Sequence, residues 1–360
     1  MVAAQKNSKR AVIAMSGGVD SSVAAGLLVA QGFEVIGIML RLWSESGSGK
    51  DNRCCTPDSV GMARRVAAHF GIPFYPVGVQ EIFKEKVVGS FMQGYLDGIT
   101  PNPCLTCNRD IRWGILYERA RLLGADYLAT GHYARIGSAG NLRVLKRGVD
   151  PQKDQSYVLS VLPQEKLAHT LFPLGEYRKP EVRELARQMQ LPVADRADSQ
   201  DLCFLADGDY HRFLREQSDR APEPGSILDT TGKVLGRHSG LAYYTIGQRK
   251  GLGISAPEPY YVVEKDLQHN ALIVGGLATL GKDHLTAAGA NWIAGAPPKE
   301  AFRAQVNIRY KALDAWGWVE PVANDRFQVK FDHPLRDVTP GQAAVVYNED
   351  ICLGGGIIEG

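Results

Sequence analysis

Two groups of residues in this sequence have the types and spacing that do chemistry. The first is Ser16-Gly17-Gly18-Val19-Asp20-Ser21-Ser22, which follows a short apolar strand (Ala11 to Met15) and leads into a helix predicted from about Ser22 to Ala30. Glycines let backbone amides close on an anion, and a helix start adds positive potential. The serine hydroxyls supply further donors, and Asp20 is suited to orient a Mg²⁺ ion bound to phosphates. The Gly-x-x-x-x-Gly-Lys-Ser/Thr spacing is absent, and without its lysine γ-phosphoryl transfer is not the natural chemistry. Two glycines alone would be an ordinary turn. The seven-residue string in the first strand-to-helix turn is far more specific, and it points to ATP.

The second group is the cysteines, six in all, at positions 54, 55, 104, 107, 203 and 352. In Thr100-Pro101-Asn102-Pro103-Cys104-Leu105-Thr106-Cys107-Asn108 two of them sit three apart, in a predicted loop stiffened by prolines before a helix at Arg112 to Leu123. Cys203 follows Asp198-Ser199-Gln200-Asp201-Leu202 and precedes Phe204. A thiolate at a helix start is expected to have a lowered pKa and to be the better nucleophile. Sulfur transfer needs one thiol to carry a persulfide and another to resolve it. The plain alternatives are half of a structural zinc site for Cys104 and Cys107 and a core thiol for Cys203. No second Cys-x-x-Cys or paired histidines stand at a suitable spacing to complete a zinc site. Cys54 and Cys55 are taken as incidental loop thiols, and Cys352, before Gly354-Gly355-Gly356, as core.

These groups need a frame to bring them together. After the first helix, Phe33 to Leu40 reads as a strand, Asp58 to Phe70 as a helix, Phe74 to Val79 as a strand, and Tyr127 to Thr130 as a strand ending at Gly131-His132. This β-α-β rhythm predicts an α/β fold with a doubly wound parallel sheet, whose ligands sit at the carboxyl ends of the strands. The rhythm fades after about residue 205. A hairpin centred on Thr231-Gly232 follows, and alternating runs beyond about Gly281 suggest a small β-barrel.

At 360 residues two or three domains are expected. Hydrophobic content of 44% and charged content of 22% suit a soluble globular protein. No apolar run is long enough to span a bilayer, and Met1 to Arg10 lacks the apolar core of a secretory signal; a cytoplasmic protein with no membrane partner is expected. The net charge of +2 gives no global footprint for nucleic acid. Local basic clusters would have to supply it: Lys146–Arg147, Arg178–Lys179 with Arg183 and Arg187, Arg249–Lys250, and Arg309 to Lys311.

The phosphate-loop string resembles the PP-loop of ATP pyrophosphatases, which adenylate a substrate oxygen and release pyrophosphate. With Thr100 to Asn108, Thr130-Gly131-His132-Tyr133, Lys153-Asp154-Gln155-Ser156-Tyr157, Ser199 to Phe204, Tyr244 to Gly253 and Arg309-Tyr310, the chain resembles the bacterial tRNA-specific 2-thiouridylase family nearly end to end. The resemblance implies a PP-loop (adenine nucleotide alpha hydrolase-like) domain over 1–210, a small β-rich tRNA-binding domain over 211–280 and a C-terminal β-barrel over 281–360. It implies ATP-dependent 2-thiolation of the wobble uridine in tRNAs for Lys, Glu and Gln. Cys107 would be the nucleophile and Cys203 the persulfide carrier. Ala14, Met15, Ser16, Gly17, Gly18, Val19, Asp20, Ser21, Leu40 and Gly131 would hold ATP. Asn102, Pro103 and Cys104 would face the target base, and His132, Lys153, Asp154, Gln155, Arg309, Tyr310 and Gln342 would contact the anticodon stem-loop. A cysteine desulfurase or relay protein would be the sulfur donor.

In one respect the chain departs from many relatives, which have aspartate where it has Cys104. Cys104, Cys107 and Cys203 could then hold an iron–sulfur cluster, whereas the persulfide route needs only Cys107 and Cys203. The sequence leaves both routes open. A PP-loop ligase or amidotransferase acting on a small molecule, and a tRNA-binding module without catalysis, are the rival classes.

Overall fold

Ala11, Val12 and Ile13 are wholly buried, as the middle strand of a sheet covered on both faces must be. A computed structural model describes residues 9–45, 56–197, 202–205, 207–218, 222–310, 312–322, 325–336 and 338–360. Cys54, Cys55, the Asp198 to Asp201 segment and Lys311 lie outside the described residues. Five parallel strands form the first sheet: β1 (Arg10–Ala14), β2 (Glu34–Arg41), β3 (Phe74–Gly78), β4 (Tyr127–Ala129) and β5 (Thr170–Leu171), in the order β3-β2-β1-β4-β5. The order reverses between β1 and β4, so a crevice opens beyond their carboxyl ends. Helices α1 (Val19–Ala30), α2 (Pro57–His69) and α3 (Lys179–Gln188) pack on this sheet.

Two helix starts differ from the sequence-based expectation. Helix α1 begins at Val19, so Asp20, Ser21 and Ser22 lie in its first turn and not in a loop. The cysteine segment is also helical from Pro103 onward, nine residues before Arg112. Asn102 caps it by accepting from the Cys104 amide at 3.1 Å, and Pro103 takes the first helical position. One of the prolines expected to hold a loop, Pro103, therefore starts a helix, because a proline at that position forfeits no hydrogen bond.

Beyond residue 222, strands Gly225–Asp229, Val234–His238, Tyr261–Asp266 and Ala271–Gly275 form a four-stranded sheet that includes the expected hairpin. The last part is a six-stranded barrel of Lys282–Trp292, Phe302–Asn307, Ala315–Val322, Arg326–Leu335, Ala343–Asn348 and Ile351–Ile358, closed by the pairing of its first and last strands. A hairpin from the first third of the chain, Ala134–Ala139 and Leu142–Arg147, extends this barrel's sheet through Leu145 opposite Cys352. Cys352 is fully buried there, a core thiol. Among the described residues no helix is long and apolar enough to cross a membrane.

Candidate active site

The turn from β1 to α1 is built to leave donors exposed. Gly18 caps α1 without any side-chain hydrogen bond, so the first-turn amides are left for an anion. Gly17 adopts φ +73°, and a Cβ there would meet the Ser59 carbonyl oxygen at 2.4 Å. Only glycine satisfies both constraints. Ser21 Oγ lies 3.2 Å from Ser16 Oγ, and Arg196 braces the turn by donating to the Gly17 carbonyl at 3.2 Å and to Ser59 Oγ at 3.1 Å. At the end of β4, a Cβ on Gly131 would reach the Ser21 amide nitrogen at 2.9 Å. The two strand ends thus form one cradle, of a shape that a nucleotide phosphate fits.

Asp20 does not face the cavity. Its carboxylate accepts from Lys179 Nζ at 2.7 and 2.9 Å and from the Tyr133 hydroxyl at 2.7 Å. Lys179 was grouped by sequence with a basic surface cluster. It is in fact buried, because it opens α3 beside the phosphate loop. Among the described residues no three His, Cys, Asp or Glu side chains are placed to hold a metal ion. Asp20, expected to orient a phosphate-bound Mg²⁺, is here engaged by Lys179 and Tyr133 instead.

The opposite wall comes from the cysteine helix. Its stretch Cys107–Leu116 is a π-helix, continued as an α-helix over Tyr117–Leu122. In an α-helix Cys107 and Leu116 would lie on opposite sides, about 100° being turned per residue. The wider i→i+5 winding brings residues four and five apart onto one face. Cys107, Ile111, Arg112 and Leu116 accordingly all line one cavity of about 180 Å³. Its other walls are Ala14, Met15, Ser16, Ser21, Leu40, Thr130, Gly131, His132 and Cys203. Phe204, buried among Phe83, Phe91 and Phe213, anchors Cys203 at this edge.

The thiols are not alike. Cys107 is buried and Cys203 half-buried, while Cys104 is exposed at the surface. Contrary to expectation for a helix start, burial of its sulfur environment pushes the Cys104 thiol up to about 11, Cys107 adding to the rise and Arg112 opposing it. Among the described residues, Cys104, Cys107 and Cys203 are not drawn together as a ready metal-ligand set.

A second cavity, of about 550 Å³, lies between the 147–157 segment and the barrel. Lys153, Asp154, Tyr157, Tyr310 and Tyr347 line it. Asp154 is tied inward by the Gly148 and Ser156 amides, and Gln155 accepts from the Tyr133 amide at 3.0 Å. Gln342 donates to the Thr100 carbonyl at 2.8 Å, so the barrel holds the segment leading to Asn102 and Cys104. Arg309 and Tyr310 are exposed. His132 is buried against Trp113 and Phe172. Of the basic clusters, Lys146 pairs with Asp350, and Arg147 with Asp154 and Asp314.

Three family models match in succession: a tRNA methyl transferase HUP domain over residues 9–207, a tRNA methyl transferase PRC-barrel domain over 211–276, and an aminomethyltransferase beta-barrel domain over 282–358. The tRNA-specific 2-thiouridylase MnmA of Moorella thermoacetica is 48% identical over 97% of this chain and 99% of its own. The protein of that name from Clostridioides difficile is 44% identical over 98% of each chain. The chain belongs to the tRNA-specific 2-thiouridylase family. A solved 4-thiouridine synthetase–RNA complex with bound ATP is far more distant, with 16% identity, a TM-score of 0.37, and coverage of 58% of this chain and 50% of that one.

Sequence reasoning missed four residues that shape the 2-thiouridylase-like cavity: Arg112, Tyr133 as the partner of Asp20, Lys179 and Arg196. Three of them reach the site across many residues of chain, Tyr133 over 113, Lys179 over 159 and Arg196 over 179, while Arg112 is brought in by the winding of its own helix. No local pattern marks such partners.

Proposed function

We propose that this chain is an ATP-dependent tRNA-uridine 2-sulfurtransferase acting on the wobble uridine of tRNAs for Lys, Glu and Gln, in the cytoplasm. The observation that carries the proposal is that Cys107 and Cys203 line the same cavity as Ala14, Met15, Ser16, Ser21 and Gly131. One space thus holds both the anion cradle and a pair of thiols.

The uridine 2-oxygen attacks the α-phosphorus of ATP held in the cradle; the bond to the β-phosphate breaks, pyrophosphate leaves, and the proton on N3 passes to water. Mg²⁺ bound to the phosphates would neutralise their charge. The terminal sulfur of a persulfide on Cys203 then attacks carbon 2. Cys107 thiolate attacks Cys203 Sγ, which breaks the bond to the transferred sulfur and leaves a Cys107–Cys203 disulfide as AMP departs. An external thiol reduces the disulfide before the next turnover. Sulfur reaches Cys203 from a cysteine desulfurase or a relay protein.

For the tRNA, Lys153, Arg309 and Tyr310 are accessible, and Asn102, Pro103 and Cys104 would face the target base. Cys104 lies near enough to both Arg112 and Tyr310 to interact with each electrostatically. A base extruded from the anticodon loop would pass along this line, at little unstacking cost for single-stranded RNA.

The test is 2-thiouridine formation on unmodified tRNA for Glu, with iron-free protein, ATP–Mg²⁺ and a cysteine desulfurase with cysteine. Turnover that stops in Cys107→Ser and Cys203→Ser but continues in Cys104→Ser supports the proposal. ATP–pyrophosphate exchange without tRNA, unaffected by those substitutions, would assign the chain to small-molecule ligation instead.

A further inference from the structure

Arg112 is the charged side chain of the cysteine helix that lines the cavity, together with Cys107, Cys203 and the cradle residues Ser16 and Ser21. Its position is built, not incidental. Both hydrogens of Nη1 are engaged, one by Asn108 Oδ1 at 2.8 Å and one by His132 Nε2 at 2.9 Å. Asn108 is fully buried, and its amide nitrogen donates to the Val158 carbonyl at 2.9 Å, which turns its oxygen toward Arg112. An arginine Nη is always a donor, so His132 Nε2 must accept. His132 then carries its proton on Nδ1 and donates to Thr130 Oγ1 at 2.7 Å.

A histidine in this place would repel the guanidinium if it were protonated. Burial, reinforced by Arg112, holds its pKa well below the usual value. Trp113 and Phe172 pack against its ring. Trp113 is itself fixed by donating to Thr170 Oγ1, on the strand beside β4, at 2.8 Å. Two buried neutral groups and a ring cluster thus orient one guanidinium. A rigid arginine fork suits phosphate recognition, and a preorganised cation is worth most where charge develops out of water.

We propose that Arg112, aligned by Asn108 and His132, is the catalytic cation that neutralises the α-phosphate while the substrate oxygen is adenylated, and that His132 is its positioning residue. This rests on the proposed thiolation, but it concerns only the first half-reaction: the new oxygen–phosphorus bond forms, the bond to pyrophosphate breaks, and Arg112 gains and loses no proton.

The experiment is single-turnover pyrophosphate release with saturating tRNA and ATP–Mg²⁺, alongside the Kd for tRNA. Wild-type enzyme must first thiolate tRNA; if it does not, the proposed function fails and Arg112 is not at issue. Arg112→Gln should slow release by about 100-fold or more, the scale seen when one charge-stabilising donor is removed, with the tRNA Kd within about twofold. Added guanidinium ion should restore part of the rate in Arg112→Ala. His132→Phe should slow release by about tenfold at unchanged tRNA Kd, and His132→Gln, which keeps an acceptor, should recover most of it. Weaker tRNA binding with normal release at saturation, in either Arg112→Gln or His132→Phe, would overturn the proposal by making these residues tRNA contacts. Normal pyrophosphate release with thiolation lost in Arg112→Gln would overturn it too, by moving the arginine's action to the thiols. Should Arg112→Gln not fold, His132→Phe carries the same decision.

Discussion

At the scale of single residues the site depends on charges that are buried and matched. Lys179, whose side chain is 10% exposed, holds Asp20, which is 35% exposed. Removing the ammonium strands a carboxylate beside the anion cradle. Lys179→Met should therefore cost about 1–2 kcal/mol, between the exposed and buried limits for an ion pair, and raise the KM for ATP more than tenfold. Urea denaturation and ATP titration read the two effects; a variant with wild-type ATP affinity would remove Lys179 from the account of nucleotide binding. His132 makes a second prediction, with its sign fixed by linkage. Its folded-state pKa lies well below the usual 6.5, so in the window below pH 6.5 the unfolded chain binds a proton that the folded chain does not. Stability is full above that value and falls as pH drops, by at most about 1.4 kcal/mol per pH unit from this group. The pH dependence of unfolding between 7.5 and 5.5 should be shallower in His132→Phe. Equal slopes would mean that the imidazole is not held neutral.

At the scale of elements, the turn before α1 gives a contrast between adjacent glycines. Gly17 has φ +73° and a backbone oxygen 2.4 Å from any Cβ, whereas Gly18 has φ −94° and its nearest neighbour is Ser16 Oγ at 3.4 Å. Gly17→Ala should lose roughly 2–4 kcal/mol from left-handed strain and overpacking, and Gly18→Ala less than about 1 kcal/mol. Chemical denaturation of both variants checks the order, and a reversed order would refute the turn's geometry. This turn was legible because its chemistry is local: glycines, serines and a helix start lie within seven residues. Four of the five strands of the first sheet were legible for the same reason, through apolar runs punctuated by glycine, whereas the two-residue β5 is too short to leave a pattern. The start of the cysteine helix was not, although Asn102-Pro103 is a capping signature, because proline density also marks loops. The π-helical winding from Cys107 leaves no sequence period to read, yet it alone puts Arg112 and Leu116 beside Cys107. Lys179 and Arg196 were illegible because tertiary closure selects their partners.

At the scale of the whole molecule, the barrel is part of the catalytic unit's core. Leu145, Tyr157 and Leu159 from the first half pack in one cluster with Val345, Tyr347 and Cys352 from the barrel. Tyr157 donates to the Ala343 carbonyl at 3.0 Å, and the Thr100 amide donates to the Pro340 carbonyl at 2.8 Å. The last strand also supplies hydrogen bonds to the Leu142–Arg147 edge. Truncation after residue 280 would leave that strand edge unpaired and bare the apolar face of this cluster, a combination that favours aggregation. It would also free the Thr100 segment that leads to Asn102. The expectation is that residues 1–280 show no cooperative thermal transition near that of the full chain, and that the full chain melts its first sheet and its barrel together in one transition. Tryptophan fluorescence separates the two, because Trp113 reports the first unit and Trp292, Trp316 and Trp318 report the barrel. Coincident midpoints in wild type and single-tryptophan variants would show that the cores are coupled. Two well-separated midpoints, with a soluble and ATP-binding 1–280 fragment, would show instead that the barrel is an appendage, and the hold of Gln342 on Thr100 would lose its importance for the site.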